Sequence, residues 1–393
     1  MRSASLALAG LASIAFIALG LPDGLLGVAW PSMRHTFALS LDDIGALLAA
    51  FATGYVASSF MGGRALASLG LGWLLVLSCL ATSVCLIGYA TAGHWGLIVV
   101  LAALGGLGAG GIDTGINTYA ALNHGPRMLN WLHACYGIGA ASGPVLMTAV
   151  LAAGASWQRG YLMAGAAQLA LAGVFLSTLR RWPAVHETAA HPARAPVFAT
   201  LRRPIVLCSV LVFLAYTGVE TAVGAWTFTL LTESRGMSAM AAGPTVSLFW
   251  AGLTAGRVLG AALGQRVVPD HLVALCLAGV CFGTGLLAAG LDAATDAAGL
   301  LVAGVAAGPV FPTLIAMTPG RVGVASAGTV VGFQIAAAAT GQALLPAMLG
   351  AVGDRLGVDV LGVGLVVLAT VPLALHRVLA RLSAAHTTAT PLR

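Results

Sequence analysis

Twelve apolar runs follow one another along this chain, separated by short polar breaks, and they leave few folds open. They lie at about 5–30, 41–63, 70–92, 95–122, 129–154 and 158–179, then at 204–231, 240–264, 270–290, 297–318, 325–350 and 356–379. A helix needs about 20 apolar residues to cross ~30 Å of hydrocarbon, so each run is long enough to span a bilayer. A transmembrane barrel would instead show alternating segments of about 10 residues. Composition agrees: 59% of the 393 residues are hydrophobic, 8% are charged and the mean hydropathy is +0.97. The expected fold class is an all-α polytopic membrane protein with 12 transmembrane helices.

The net charge of +6 invites a nucleic-acid reading, but the placement of the charge argues against it. All 18 basic residues are arginines in the loops that flank the runs. With twelve spans and the N-terminus inside, only Arg34, Arg159, Arg235 and Arg355 fall on the outer side. That bias obeys the positive-inside rule and predicts a multi-pass protein of the cytoplasmic membrane with both termini in the cytoplasm. The six cysteines lie within apolar runs without metal-ligand spacing and read as small packing residues. The first run mimics a secretory signal, but it is too long, lacks a cleavage site and has a counterpart later, so it is kept as span 1. No phosphate-cradling loop, metal-ligand cluster or nucleophile motif is visible, so an enzyme is not expected. Without an ATP site or cofactor, the energy for any pumping must come from an ion gradient, with the proton as the leading ion.

The prolines and arginines between Arg180 and Arg203 cannot enter lipid and divide the chain into 1–179, a cytoplasmic linker 180–203, and 204–393. The two six-span halves look like repeats. Span 1 reads Gly20-Leu21-Pro22-Asp23-Gly24-Leu25-Leu26-Gly27-Val28-Ala29-Trp30, and span 7 reads Gly218-Val219-Glu220-Thr221-Ala222-Val223-Gly224-Ala225-Trp226. Each places a glycine four residues after an acid and a tryptophan shortly beyond. Pseudo-symmetric halves of this kind mark secondary transporters that bind solute near the bilayer midplane and rock one half against the other.

The fourth run carries Gly105-Gly106-Leu107-Gly108-Ala109-Gly110-Gly111-Ile112-Asp113-Thr114-Gly115-Ile116-Asn117. An acid at mid-membrane costs roughly 3 kcal/mol on insertion scales, so such acids face a partner or a wet cavity. Asn117 lies one turn beyond Asp113 on the same helix face and can hydrogen-bond whatever the acid holds. The glycines leave a groove where another helix or a ligand can approach closely. Carboxylic acids in a low dielectric hold their proton more tightly than in water, the property a proton-coupling group needs.

These features resemble the major facilitator superfamily over the whole chain. The first half is similar to its fucose–galactose–glucose:proton symporter family in three places. These are Leu21-Pro22-Asp23-Gly24-Leu25-Leu26 in span 1, Asp113-Thr114-Gly115-Ile116-Asn117 in span 4, and Arg127-Met128-Leu129-Asn130-Trp131-Leu132-His133 with Tyr136-Gly137-Ile138-Gly139-Ala140 at the start of span 5. The resemblance implies that Asp23 and Asp113 couple protons and bind sugar, that His133 meets solute, and that the protein works as a monomer. The loop between spans 2 and 3 departs from the superfamily pattern. Gly62 to Gly70 keeps Arg64 alone where an aspartate and several basic residues are usual. Gly139-Ala140-Ala141-Ser142-Gly143-Pro144 resembles part of a motif of drug:proton antiporters, although a helix bend explains it equally well.

Other candidates carry two readings each. Glu220 is a second titrating site or solute acceptor, or else a buried acid paired with a base of the other half. His133 is a solute or proton ligand, or an ordinary buried histidine. Trp30, Trp226 and Trp250 are flat walls for a solute, or packing and interface residues, whereas Trp95, Trp157 and Trp182 read as interfacial anchors. Tyr136 and Tyr216 are placed with the solute contacts. Gln334 and Gln342 bond solute or neighbouring helices. Arg64 and Arg257 form a cytoplasmic gate, with Arg257 snorkelling toward the interface. The expectation is proton-coupled symport of a small polar solute, a monosaccharide or polyol first, with Asp23, Asp113 and Glu220 as coupling acids and Asn117 and His133 beside them. Proton-driven efflux of drugs is the alternative in transport, and a non-transporting membrane receptor or scaffold the alternative of another class.

Overall fold

The computed structural model describes residues 2–123, 126–182, 200–263 and 267–389. Residues 183–199 of the expected linker lie outside the described residues, as do Arg194, Arg266 and Arg393. The described chain is helical throughout. Among the described residues, eleven helices are long and apolar enough to cross a membrane. They are span 1 (Ala7–Phe37), span 2 (Ile44–Gly62), span 3 (Arg64–Thr91), span 4 (Trp95–Ala120), span 5 (Trp131–Ala152), span 6 (Trp157–Ser177), span 7 (Pro204–Ser234), span 9 (Pro269–Ala289), span 10 (Ala293–Val322), span 11 (Ser326–Leu356) and span 12 (Val360–Ala384). Span 8, Ala239–Leu263, is equally long at 25 residues. The chain crosses back and forth, so both of its ends reach one face, called here the terminal face; the opposite one is the far face.

Three boundaries differ from the sequence expectation. Span 1 runs to Phe37 rather than ending near residue 30, because Trp30 and Met33 are fully buried and hold the helix past Pro31. Asp23 therefore sits near the middle of span 1 rather than toward its outer end. Spans 2 and 3 belong to one helical stretch, Ile44–Thr91, which turns back at Gly70. Its φ of 74° and ψ of 161° are open to glycine and strained for other residues. Span 10 is two helices, Ala293–Ala307 and Val310–Val322, parted at Gly308-Pro309, where the missing proline N–H interrupts the ladder.

Spans 1 to 6 pack among themselves, as do spans 7 to 12, and the two sets meet through spans 1 and 7, 2 and 11, and 5 and 8. The glycines before Asp113 are filled by helices rather than by open groove. A Cβ at Gly106 would strike the Phe51 carbonyl, and one at Gly110 would lie 2.8 Å from the Tyr55 carbonyl. Span 4 thus lies directly against span 2. The repeated glycines of spans 1 and 7 also touch, since a Cβ at Gly27 would strike the Gly224 carbonyl. All six cysteines are free, and five are buried, in keeping with packing.

Candidate functional site

Three intramembrane acids organise the space between the two sets of helices, and each is bonded to a tyrosine. Span 2 lies so close to span 4 that the Tyr55 hydroxyl reaches across and donates to Asp113 Oδ2 at 2.8 Å. Asn117 Nδ2 donates to the other oxygen, Oδ1, at 2.9 Å, as its spacing of one helical turn requires. The Asn117 Oδ1 is buried without a donor. In span 5, Gly139 and Gly143 press against the span 1 backbone at Ile17 and Leu21–Gly24, which brings the Tyr136 hydroxyl to Asp23. In span 7 the Tyr216 hydroxyl donates to Glu220 Oε2 at 2.7 Å and also lies 2.7 Å from the Ala307 carbonyl, just before the break in span 10. One phenol proton therefore faces two acceptors.

One arginine stands among these pairs. Arg257 Nη2 lies 3.9 Å from Glu220 Oε1, its guanidinium carbon is 5.9 Å from the centre of the Tyr136 ring, and Nη1 is 3.5 Å from the His133 carbonyl. This corrects the expectation that Arg257 snorkels to the interface. Its side chain turns inward instead, because an acid and an aromatic face are within reach there. Glu220 is paired within its own half rather than with the other. Among the described residues, neither Asp23 nor Asp113 has a basic group within 4 Å.

Asp23 and His133 are exposed although they lie mid-helix and at the start of span 5, so the space beside them is open. His133 also meets the edge of Phe16, with ring centres 5.9 Å apart. At the far face the halves touch at Gly27 and Gly224, at Gly45 and Ala347, and at Gly243 and Thr148. At the terminal face Phe60 and Met61 of span 2 are 76% and 59% exposed, and Gly328 and Gly332 of span 11 have no neighbour within 4 Å of a Cβ. Spans 5 and 8 stay in contact further along, through Gly137 and Thr254.

Several residues expected to meet solute do not face this space. Trp226 is fully buried and donates from Nε1 to the Pro346 carbonyl at 2.9 Å. Trp30 is fully buried beside Trp95. Gln334 is fully buried and bonds Ser209 at 2.6 Å and Thr318 at 3.0 Å, which ties spans 7, 10 and 11 together. Tyr216 is 2% exposed and reaches the space only through Glu220. Trp250 packs against Gly224 one turn from Glu220, 6% exposed, with its indole N–H unpartnered. Gln342 is exposed, as is Arg64 at the terminal face. Trp157 and Trp182, expected as interfacial anchors, are buried and bonded to Thr36 and Thr178. Sequence reasoning missed Tyr55, whose only signal was a polar hydroxyl within an apolar run. The six tyrosines of the chain include all three acid partners.

A family profile described as the Major Facilitator Superfamily matches residues 12–346. A mutant of the nucleoside transporter NupG is similar over 95% of this chain and 98% of its own, with 13% identity and a TM-score of 0.80. A D-xylose-proton symporter is similar over 93% and 96%, with 16% identity and a TM-score of 0.73. The transporter FucP in its outward conformation is similar over 94% and 98%, with 18% identity and a TM-score of 0.61. No curated protein sequence matches significantly. The twelve-span arrangement of two packed sets of helices and a profile match across most of the length lead to one conclusion: this chain belongs to the major facilitator superfamily.

Proposed function

We propose that this protein is a proton-coupled symporter of a small polar solute, a monosaccharide or polyol first, that works by alternating access in the cytoplasmic membrane. One observation carries the reading: three carboxylates within membrane spans 1, 4 and 7 are each hydrogen-bonded to a phenol. Asp113 and Asp23 are the coupling and binding acids, with Asn117 and His133 beside them and Glu220 opposite. The buried, donor-less Asn117 Oδ1 suits a solute hydroxyl. Arg257 stands beside Glu220, so that this carboxylate can stay ionised and paired as the carrier closes. A solute that binds one protonation state better than the other links the two fluxes. Similar structures support the class: a nucleoside transporter, a D-xylose-proton symporter and an E. coli fucose:proton symporter. The arginines of the terminal face make that face cytoplasmic.

A second reading has its own observation. Asp23 and Asp113 have no basic partner within 4 Å among the described residues, and unpaired intramembrane acids suit proton-driven efflux of a cationic compound. The test is solute-induced pH change outside energy-depleted cells that overproduce the protein, across hexoses, pentoses and polyols. Alkalinisation by one sugar, lost in Asp113→Asn, supports symport. Silence across the panel with protein present in the membrane, together with altered sensitivity to cationic drugs, would replace symport with efflux.

A further inference from the structure

The far face is held shut by a contact that the symport reading does not use. Just before span 2 begins, the N–H groups of Leu41 and Asp42 point at the carboxylate of Asp354, at the end of span 11. Leu41 donates to Oδ1 at 2.8 Å and Asp42 to Oδ2 at 3.0 Å, so both oxygens are engaged by one turn of backbone. These amides lie in the turn just before the helix that starts at Ile44, and the dipole of that helix favours an anion near its start. The carboxylate belongs to one half of the protein and the amides to the other.

Close packing surrounds this contact. A Cβ at Gly350 would lie 2.9 Å from the Leu41 carbonyl and 2.8 Å from the Trp226 ring, and one at Gly45 would strike Ala347. Leu41 itself is 3% exposed. The acids on the same turn are occupied elsewhere: Asp42 and Asp43 accept from Ser40, at 2.5 Å and 2.9 Å. One cross-half ion pair is present at this face among the described residues, Arg34 with Glu233 at 3.4 Å, a partly exposed single contact of the kind that contributes little. Trp226 with Pro346 joins spans 7 and 11 and moves with its own half. Spans 2 and 11 are thus tied at the far face, whereas at the terminal face Phe60 and Met61 are exposed and a Cβ at Gly328 or Gly332 would meet nothing within 4 Å.

We propose that Asp354 is a latch: by capping the start of span 2 it keeps the far face closed and so sets which side of the central site is open. The proposal rests on the alternating-access reading. Asp354 is a positioning residue and touches no solute. Two charge-assisted hydrogen bonds, discounted for the exposure of Asp354, correspond to a shift of about tenfold in the ratio of the two conformers. The apparent affinity for solute arriving at the far face rises with the fraction open there.

The test is distance measurement by double electron–electron resonance on the full chain, with its native cysteines replaced. Labels at Gly93→Cys and Leu291→Cys report the far face, and labels at Ser68→Cys and Val268→Cys the terminal face. Expected is one dominant short far-face distance in the parent. Asp354→Ala gains a longer far-face distance by about tenfold, with a matching shortening at the terminal face. Asp354→Asn falls between, and Asp354→Glu returns toward the parent. If the alanine variant does not fold, the asparagine and glutamate variants carry the comparison. Unchanged distributions in folded Asp354→Asn or Asp354→Ala overturn the latch, even where thermal stability falls, while a parent that exchanges between two distances with pH or solute leaves alternating access standing. A single distance under every condition and in every variant overturns both.

Discussion

Replacing Gly106 with alanine tests the packing that delivers Tyr55 to Asp113. The added methyl would meet the Phe51 carbonyl and lie 2.8 Å from the Tyr55 amide nitrogen, and neither is a flexible side-chain end that can step aside. Span 4 must therefore back away from span 2. Overpacking of this kind costs about 1–3 kcal/mol, against which alanine gains at most ~1 kcal/mol in helix propensity. Gly173→Ala supplies the control, because a Cβ there has nothing within 4 Å and only the propensity gain remains. The two variants should differ by about 1–3 kcal/mol, the overpacking term alone, because the propensity gain is common to both and cancels. Thermal denaturation of the purified protein in detergent should show Gly106→Ala below the parent and Gly173→Ala at or above it. Uptake should fall in Gly106→Ala alone, since a retreat of span 4 opens the 2.8 Å bond between Tyr55 and Asp113. Equal melting temperatures for the two variants would refute the claim that the glycines before Asp113 serve close helix packing.

Other consequences can be checked in the same way. Arg235 bonds Asp296, which is 2% exposed, and also the Leu287 carbonyl. Arg235→Ala strands a buried carboxylate and should cost about 3–5 kcal/mol, while Arg235→Met combined with Asp296→Leu should come back close to the parent in a denaturation series. Asp292, in the loop before span 10, accepts from the Thr295 N–H at 2.7 Å, and that bond holds its carboxyl below the usual carboxylate range. A depressed folded-state value means that the cap stabilises above the ordinary carboxylate range and is lost as pH falls through the depressed value. Asp292→Asn should therefore flatten the acid limb of the stability–pH curve without moving its neutral plateau far.

Much of this protein could be read from its residues in order, and the parts that could not have identifiable causes. Asp113 and Asn117 were legible as a pair because both lie on one helix, where spacing fixes geometry. Tyr55 was not, since nothing in the sequence of span 2 says which of its faces meets span 4. Trp30 and Trp226 were recognised as a repeated feature, yet their roles followed from contacts between helices. Trp226 reaches Pro346, 120 residues away, and is packing rather than wall. Gln334 proved to be an inter-helix bond for the same reason. Arg257 was placed near the right end of the right helix but turned the wrong way, because a single span cannot say whether headgroups or Glu220 will be nearer.

The sequence by itself determined that the chain is a helical membrane protein, how many times it crosses, and where acids are buried in it. Lipid offers no partners for backbone amides, so length and hydropathy alone force helices, and a buried acid is conspicuous by its cost. Only the tertiary structure decided which tyrosine serves which acid, that Arg257 turns toward Glu220 and the Tyr136 ring, and that the halves touch where Gly27 meets Gly224. Those outcomes depend on contacts between residues far apart in the chain, such as Leu41 with Asp354 across 313 positions. Helix periodicity carries no information about such pairs until the helices have packed.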